Sequence, residues 1–469
     1  MNKTLDGLIH FFMYAILAFT LFSFFICIIV FSVKYQDVFS LKEGIWLLPA
    51  VLFFGFVFYI TERVEKSNVF ILAMVLAQLI IAVVMIFAYD TKPVSDYAAI
   101  WESAQEMAKG SFSSGLVPAT YMYVYNWQLG ITAFEALGIS LGMNFFAFKI
   151  LNALLVCLFC FFEYHLVRRK CGERAANIAY AVSTFFLPWI LTIPQFTNHH
   201  IGLGLILIIL YLLEKNNWQS WCGAGLLTAV LNVLRPMGII IALTAIAMAI
   251  YKCIAKRAIK PGMKAVLFVV VYSICLSIFN MAFVKADYTD IGISEARIPY
   301  YKFQKGLYGY NTPAEDLIKY GYDIEKYNEA MREQLKDELT NNPIQTCVFV
   351  ANKMVRYLGL FDYQFEMTFN HDATVYTKYP IKALYCMGWF QYVLIVAMAL
   401  YGYREYEKRN GMDVYQIFFI GNTIVYVFIE AFSSYRFESY TILIMLAADG
   451  AVQLFRCGLK KNRRLLMKC

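Results

Sequence analysis

The sequence predicts an all-α polytopic membrane protein with about 12 transmembrane helices, between about 11 and 13. Three observations predict that class. Hydrophobic residues make up 60% of the 469, and the mean hydropathy of +0.56 implies more apolar surface than a water-soluble core would enclose. Charged residues are only 16%, against about a quarter in ordinary globular domains. The apolar residues also come in runs close to the ~20 residues that cross a bilayer as a helix. A soluble enzyme, a disordered scaffold and a secreted disulfide module are thereby excluded. The 11 cysteines agree. Cys157 and Cys160 form a lone CxxC inside an apolar run, a setting for packing, and of the eleven only Cys347 falls in the large polar segment.

The runs fall at 11–33, 44–61, 68–88, 143–166, 175–193, 199–213, 219–234, 236–251, 264–284, 381–402, 413–432 and 437–456. The first is too long for a signal-peptide core and has no convincing cleavage site, so it reads as a helix. The runs 219–234 and 236–251 are short and meet at Arg235-Pro236, which fits either a tight hairpin or one broken helix with a re-entrant piece.

Orientation follows from the basic residues of the connecting segments. With the N-terminus inside, the inner side collects Lys3, Arg63, Lys66, the group Arg168, Arg169, Lys170 and Arg174, Lys215, five residues from Lys252 to Lys264, Arg404, Lys408, Arg409 and six in the tail. That makes 22, against six in the short outer segments. The expectation is N-in and C-in at the cell membrane. The net charge of +8 then reads as a topological signal and gives no reason to expect a nucleic-acid partner. The partner it does imply is the lipid bilayer.

Two outer segments, 89–142 and 285–380, are too long to be simple connectors, which places the working face outside the cell. The second contains an amphipathic helix opened by Asp323 as N-cap and closed at Asn341-Asn342-Pro343, then a more apolar helix, 343–361, lying along the interface. The chain divides into two N-terminal spans (1–67), a core carrying loop 89–142 (68–284), the outer region 285–380, and C-terminal spans with a basic tail (381–469).

No Walker A loop, HExxH or nucleophile elbow is present, and Gly202-Leu203-Gly204 fits helix packing better than a dinucleotide fingerprint. A substrate arriving through the membrane is therefore expected in place of a nucleotide. Asp96, just past the third run and heading the stretch that begins at Tyr97, suits either an N-cap or a general base at the membrane surface. Tyr121, Tyr123, Tyr125, Asn126 and Trp127 suit an interfacial belt or a surface on which a sugar ring stacks. Arg235 interrupts an apolar run, so it is either a paired structural cation or a phosphate ligand. Arg436 is an outer anchor or a second phosphate ligand, with Glu430 as its partner. His199 and His200, adjacent on a helix, point about 100° apart and make poor joint metal ligands. Glu102 and Glu106 read as a solvated face. No residues have metal-ligand spacing, although the outer acids are compatible with a divalent cation.

Several segments, taken in order, resemble the GT-C membrane glycosyltransferases, among them the dolichyl-phosphate-mannose–protein mannosyltransferases and the bacterial aminoarabinose transferases. They are the Ser-Asp-Tyr setting of Asp96, YMYVYNWQLGITAFEALG (121–138), LNVLRPMGIII (231–241), ELTNNPIQTCVFVANKMVRYLGLFD (338–362) and SSYRFESYTILIMLAA (433–448). The resemblance covers roughly 68–460. It implies transfer of a sugar from a polyprenyl-phosphate donor to a cell-envelope acceptor on the extracytoplasmic face. Asp96 would be the catalytic base in an inverting displacement. Tyr97, Tyr125, Asn126, His199, His200, Arg235 and Arg436 would line the substrates, with Arg235 or Arg436 on the leaving phosphate. Where the family often has a second acid, loop 193–204 carries Asn198, His199 and His200. The rival readings are a lipid-linked sugar flippase or transporter, and a polysaccharide polymerase or ligase. A transporter would favour paired broken helices in two related halves, and 219–251 has no counterpart elsewhere in the chain.

Overall fold

The computed structural model describes residues 2–34, 41–64, 67–89, 91–118, 120–215, 217–309, 317–360 and 381–466. Among them every regular element is helical. The first three are α1 (Asn2–Lys34), α2 (Leu47–Thr61) and α3 (Ser67–Ala88). A loop region follows with α4 (Asp96–Ala108), α5 (Tyr121–Val124) and α6 (Leu129–Ser140). The core is built from α7 (Phe145–Cys171), α8 (Glu173–Thr184), α9 (Leu187–Ile190), α10 (Asn198–Glu214), α11 (Trp218–Leu234), α12 (Gly238–Lys256) and α13 (Lys260–Lys285). A second loop region carries α14 (Tyr301–Leu307), α15 (Ile324–Asn341) and α16 (Pro343–Gly359). The chain ends with α17 (Ile381–Asn410), α18 (Val414–Phe428) and α19 (Tyr440–Leu466). Within the outer region read at 285–380, the stretches 310–316 and 361–380 lie outside the described residues.

Among the described residues seven helices are long and apolar enough to cross a membrane: Thr4–Val30, Gly44–Thr61, Ser67–Ala88, Phe145–Cys171, Gly238–Ala255, Lys260–Lys285 and Ala383–Asn410. The chain is thus a multi-pass membrane protein. Lipid replaces water around these helices, so their exposed faces are apolar, as at Leu72, Ile80, Phe87, Val266 and Ile278. Asn198–Glu214 and Val414–Phe428 are apolar but shorter, and their inward faces are largely buried among the others.

The run 175–193 is not one span. The helix stops at Thr184 and restarts at Leu187, with Pro188 in the first turn of the new piece. Proline lacks the N–H that would continue the ladder and disfavours helical backbone before it. The break is buried, and Gln391 on α17 fills it: its Oε1 accepts from the Leu187 N–H at 3.0 Å and its Nε2 donates to the Phe185 carbonyl at 3.2 Å. Asn152 on α7 does the same for the following unwound stretch, donating to the carbonyls of Thr192, Ile193 and Gln195 at 3.0–3.2 Å. The pair 219–251 resolves as two helices that both pack along α13, with Arg235 extended between them.

The helix ends sort by side. At one end Lys170 pairs with Glu214 and Asp413, Arg409 with Asp449 at 2.8 Å, and His10 with Glu407 at 2.8 Å. These belong to the segments that the basic-residue count assigns to the inside. The opposite end gathers α4 to α6, α14 to α16 and the 3-10 turn Ser433–Ser439. There Asp323 caps α15 as expected, its Oδ1 accepting from the backbone of Glu325 and Lys326 at 3.1 Å.

Gln391→Leu leaves a buried donor and a buried acceptor without partners. The expected loss is about 2 kcal/mol or more. It is measured as a lowered Tm of the detergent-solubilised protein, and an unchanged Tm would show that the break does not depend on this side chain.

Candidate functional site

Asp96 is the first residue of α4, and Ser95 before it has a φ of 52°, a positive value that a side chain rarely tolerates. The N-cap position therefore belongs to Ser95, which makes no capping hydrogen bond. Asp96 is set free of the capping role, although its charge still suits the positive end of the helix. The rest of α4 explains its direction. Ile100, Ser103 and Met107, which follow Asp96 on one face, are buried, and with Ala104 they help to pack α4 on α6.

Around Asp96 lie side chains from three other segments. Tyr121, at the start of α5, hydrogen-bonds its carboxylate, and Lys302, Lys305 and Glu430 are close enough to act on its charge. The carboxylate stays open to solvent, but the protein crowding it pushes its pKa up. Lys302 opposes that shift, Glu430 adds to it, and Tyr121 and Lys305 oppose it in turn. Tyr125 stands 4.8 Å from Tyr121, 5.3 Å from Trp127 and 6.2 Å from Tyr301, ring centre to ring centre. An aromatic wall therefore runs from the carboxylate to α14.

The two lysines come from Tyr301-Lys302-Phe303-Gln304-Lys305, whose three-residue spacing puts both on one side of α14. Glu430 joins them: Lys302 Nζ meets one carboxylate oxygen at 2.7 Å and Lys305 the other. The backbone repeats the tie, with the Glu430 N–H donating to the Lys302 carbonyl at 3.0 Å. Burial raises the Glu430 pKa, but the two lysines more than offset it and hold the carboxylate ionised.

Lys353 on α16 secures this joint from behind. Its ammonium donates to the carbonyls of Gly306 (2.5 Å), Val427 (2.9 Å) and Ile429 (2.8 Å). Burial brings its pKa down to about 8, so it remains charged at neutral pH, where all three carbonyls can be served. One buried cation thus fixes α14 against the chain just before Glu430.

A second polar group lies deeper. Glu438 is fully buried, and one of its oxygens receives Arg235 at 2.7 Å and His199 Nδ1 at 3.0 Å. Arg235 also donates to Asn198 Oδ1 at 3.0 Å. Gly202 explains how the guanidinium fits, because a Cβ there would lie 2.6 Å from Arg235 Cδ. His200 turns the other way, onto Thr192 and Thr197. Tyr435 links the two groups. Its ring stacks near His199, with centres 6.5 Å apart, and its hydroxyl is raised well above the usual range by burial and by Glu430, with Asp96 also in range.

The expected residues therefore separate. Asp96 and Tyr125 meet at the outer cluster, with Tyr97 close by, while His199 and Arg235 share the deeper group. Asn126 is fully buried and its amide is taken by the carbonyls of Gly292 (2.9 Å) and Glu295 (2.7 Å), tying the two loop regions together. Arg436 does not pair with Glu430. Its guanidinium donates to the carbonyls of Ser433, Leu358 and Leu360 and lies over the Tyr392 ring. Lys302, Lys305, Lys353 and Glu438 were not singled out from the sequence as members of a site. The paired lysines among tyrosines in YYKFQKG were the one local signal available. Among the described residues no group of three His, Cys, Asp or Glu could hold a metal ion.

No protein-family model matches the chain, and no curated protein matches it. Among solved structures it is similar to ArnT from Cupriavidus metallidurans bound to undecaprenyl phosphate, at a TM-score of 0.37 and 12% identity. The match covers 82% of this chain and 78% of that one.

Glu438→Gln removes the charge opposite a buried Arg235, and the expected cost is about 3–5 kcal/mol. Combining it with Arg235→Gln should recover much of that loss. Thermal unfolding of the two single variants and the double variant measures the coupling, and additive losses would show that the two residues act independently.

Proposed function

We propose that this protein is a membrane glycosyltransferase. It moves a sugar from a polyprenyl-phosphate donor to a cell-envelope acceptor, a glycan, teichoic-type polymer, lipid or protein, at the extracytoplasmic face of the cell membrane. The observation that carries this reading is the placement of Asp96. A carboxylate with a raised pKa stands open to solvent at the end of the molecule that the basic-residue count puts outside, and it faces two lysines and a tyrosine wall. General-base chemistry at a membrane surface needs an accessible carboxylate, and a departing phosphate needs cations nearby.

In the proposed step the acceptor hydroxyl attacks the anomeric carbon while the bond from that carbon to the phosphate oxygen breaks. Asp96 takes the hydroxyl proton, and the leaving polyprenyl phosphate carries away the bonding electrons. A single displacement inverts the anomeric centre. Lys302 and Lys305 stabilise the growing phosphate charge, a role that the sequence alone suggested for Arg235 or Arg436. Glu430 holds the two ammonium groups in register until the anion arrives. Arg235, His199 and Tyr435 form the deeper wall of the same site, and Tyr97 and Tyr125 offer faces for the sugar ring.

Asp96→Asn is expected to lower transfer from a purified polyprenyl-phosphate sugar by about 10²–10⁴-fold, while expression and lipid retention are unchanged. Retained turnover would overturn the assignment. The pH profile gives a second check. Activity requires the ionised carboxylate, so it falls as pH drops through the Asp96 pKa, at a higher pH than an ordinary aspartate would give. Lys302 lowers that pKa, and Lys302→Met should therefore move the acid limb to still higher pH. A shift to lower pH would contradict the proposed electrostatics.

A further inference from the structure

α6, in the first loop region, carries a carboxyl group that the proposed reaction does not use. Along its inward side run Ile131, Thr132, Glu135 and Gly138, three or four residues apart and all buried. Thr132 touches Met122 Sδ at 3.6 Å, and a Cβ on Gly138 would lie 2.5 Å from the Phe148 ring. The stripe is thus closed on both sides of Glu135. Glu135 Oε2 is fully enclosed and has no hydrogen-bond partner among the described residues.

The elements packed on α6 supply no countercharge. α4 buries Ile100, Ser103, Ala104 and Met107, whereas its Asp96, Glu102 and Glu106 are exposed. α11 has Cys222 as its one titratable residue, and the turn Asn126–Gln128 has none. The surrounding segments add Tyr97, Tyr121, Tyr123, Lys149, His199 and Arg235. None of these acts on Glu135: burial alone raises its pKa, to about 8. A neutral carboxyl is tolerated in such a setting, and an ionised one is not. The ionised form gains water only where α4 and α6 part. Because α4 begins with Asp96, that parting carries Asp96 away from Tyr121 and Lys302.

We infer that protonated Glu135 is a positioning residue: it lets α6 hold α4, and with it Asp96, in place, and its ionisation releases α4 at alkaline pH. Only the effect on turnover rests on the transferase reading; the release of α4 rests on the packing. Exposed by the opening, Glu135 regains the ordinary value of 4.5, against about 8 when enclosed. Between these values the open form binds fewer protons than the closed one. Opening therefore becomes easier as pH rises through this window and stops changing above it.

Hydrogen exchange of the full-length protein in nanodiscs, read by mass spectrometry and corrected for the intrinsic pH dependence of exchange, measures the opening. The α4 amides should open about tenfold or more as readily at pH 8 as at pH 6, levelling off above about pH 9, while α17 stays protected. Glu135→Gln, neutral at every pH, should abolish the rise, and Glu135→Leu should do the same should the first variant fold poorly. A flat response in the native chain, a rise that persists in these variants, or a parallel loss of protection in α17 would overturn the inference. Transfer measured beside exchange should fall above about pH 8 in the native chain and persist in Glu135→Gln, with the acid limb unmoved. An alkaline loss of transfer that remains in Glu135→Gln would overturn the positioning role. Absence of transfer at every pH, with the α4 response present, would count against the transferase reading alone.

Discussion

Backbone polar groups inside a membrane have no water to turn to, and every departure from helix must be satisfied by the protein itself. This constraint acts most strongly between Phe185 and Thr197, where the chain unwinds while almost completely buried. Gln391 and Asn152 take up the orphaned groups from two sides, one across the break at Leu187 and one below it at 192–195. The unwound stretch ends at Thr197, and α10 begins at once with Asn198, His199 and His200. Without the two amides, the residues that meet Arg235 and Glu438 would not be delivered to the outer end.

The same logic extends outward with charges in place of amides. Glu438 is tolerated at full burial because Arg235 and His199 converge on it, and Arg235 is tolerated because Gly202 leaves it room. Lys353 spends its ammonium on three carbonyls and so fixes the segment from which Glu430 reaches Lys302 and Lys305. Arg436 does equivalent work for the end of α16. Cations that look alike in the sequence thus divide into two kinds. Lys353 and Arg436 give donors to backbone carbonyls and tie segments together, whereas Lys302 and Lys305 are held by the carboxylate of Glu430.

That division explains what the sequence made legible. Composition, apolar runs and the placement of basic residues carry the membrane class, because they reflect solvent preference residue by residue. Asp96 stood out because it follows an apolar run and Pro93 and heads a helix-like stretch. Pro188 was visible as well, yet the run 175–193 still read as one span, since apolarity alone does not register that a glutamine two hundred residues away accommodates the break. Arg436 and Glu430 were paired by proximity in sequence, whereas the true partners of Glu430 lie at 302 and 305. Partnerships of this kind depend on which segments the fold brings side by side, and no local pattern records them.

The separation along the chain has its own consequence. Asp96 stands on the first loop region, the two lysines on the second, Glu430 after α18, and the deeper pair is formed between the α11–α12 junction and the turn before α19. No segment holds a working subset of these groups. The cluster therefore exists only once the whole outer end has assembled, and the ties that assemble it, Asn126 to the second loop region and Lys353 to the end of α18, lie outside the group around Asp96. Mobility at either tie would separate Asp96 from the lysines without removing any of them. The arrangement around Asp96 accordingly depends on buried groups that stand apart from it.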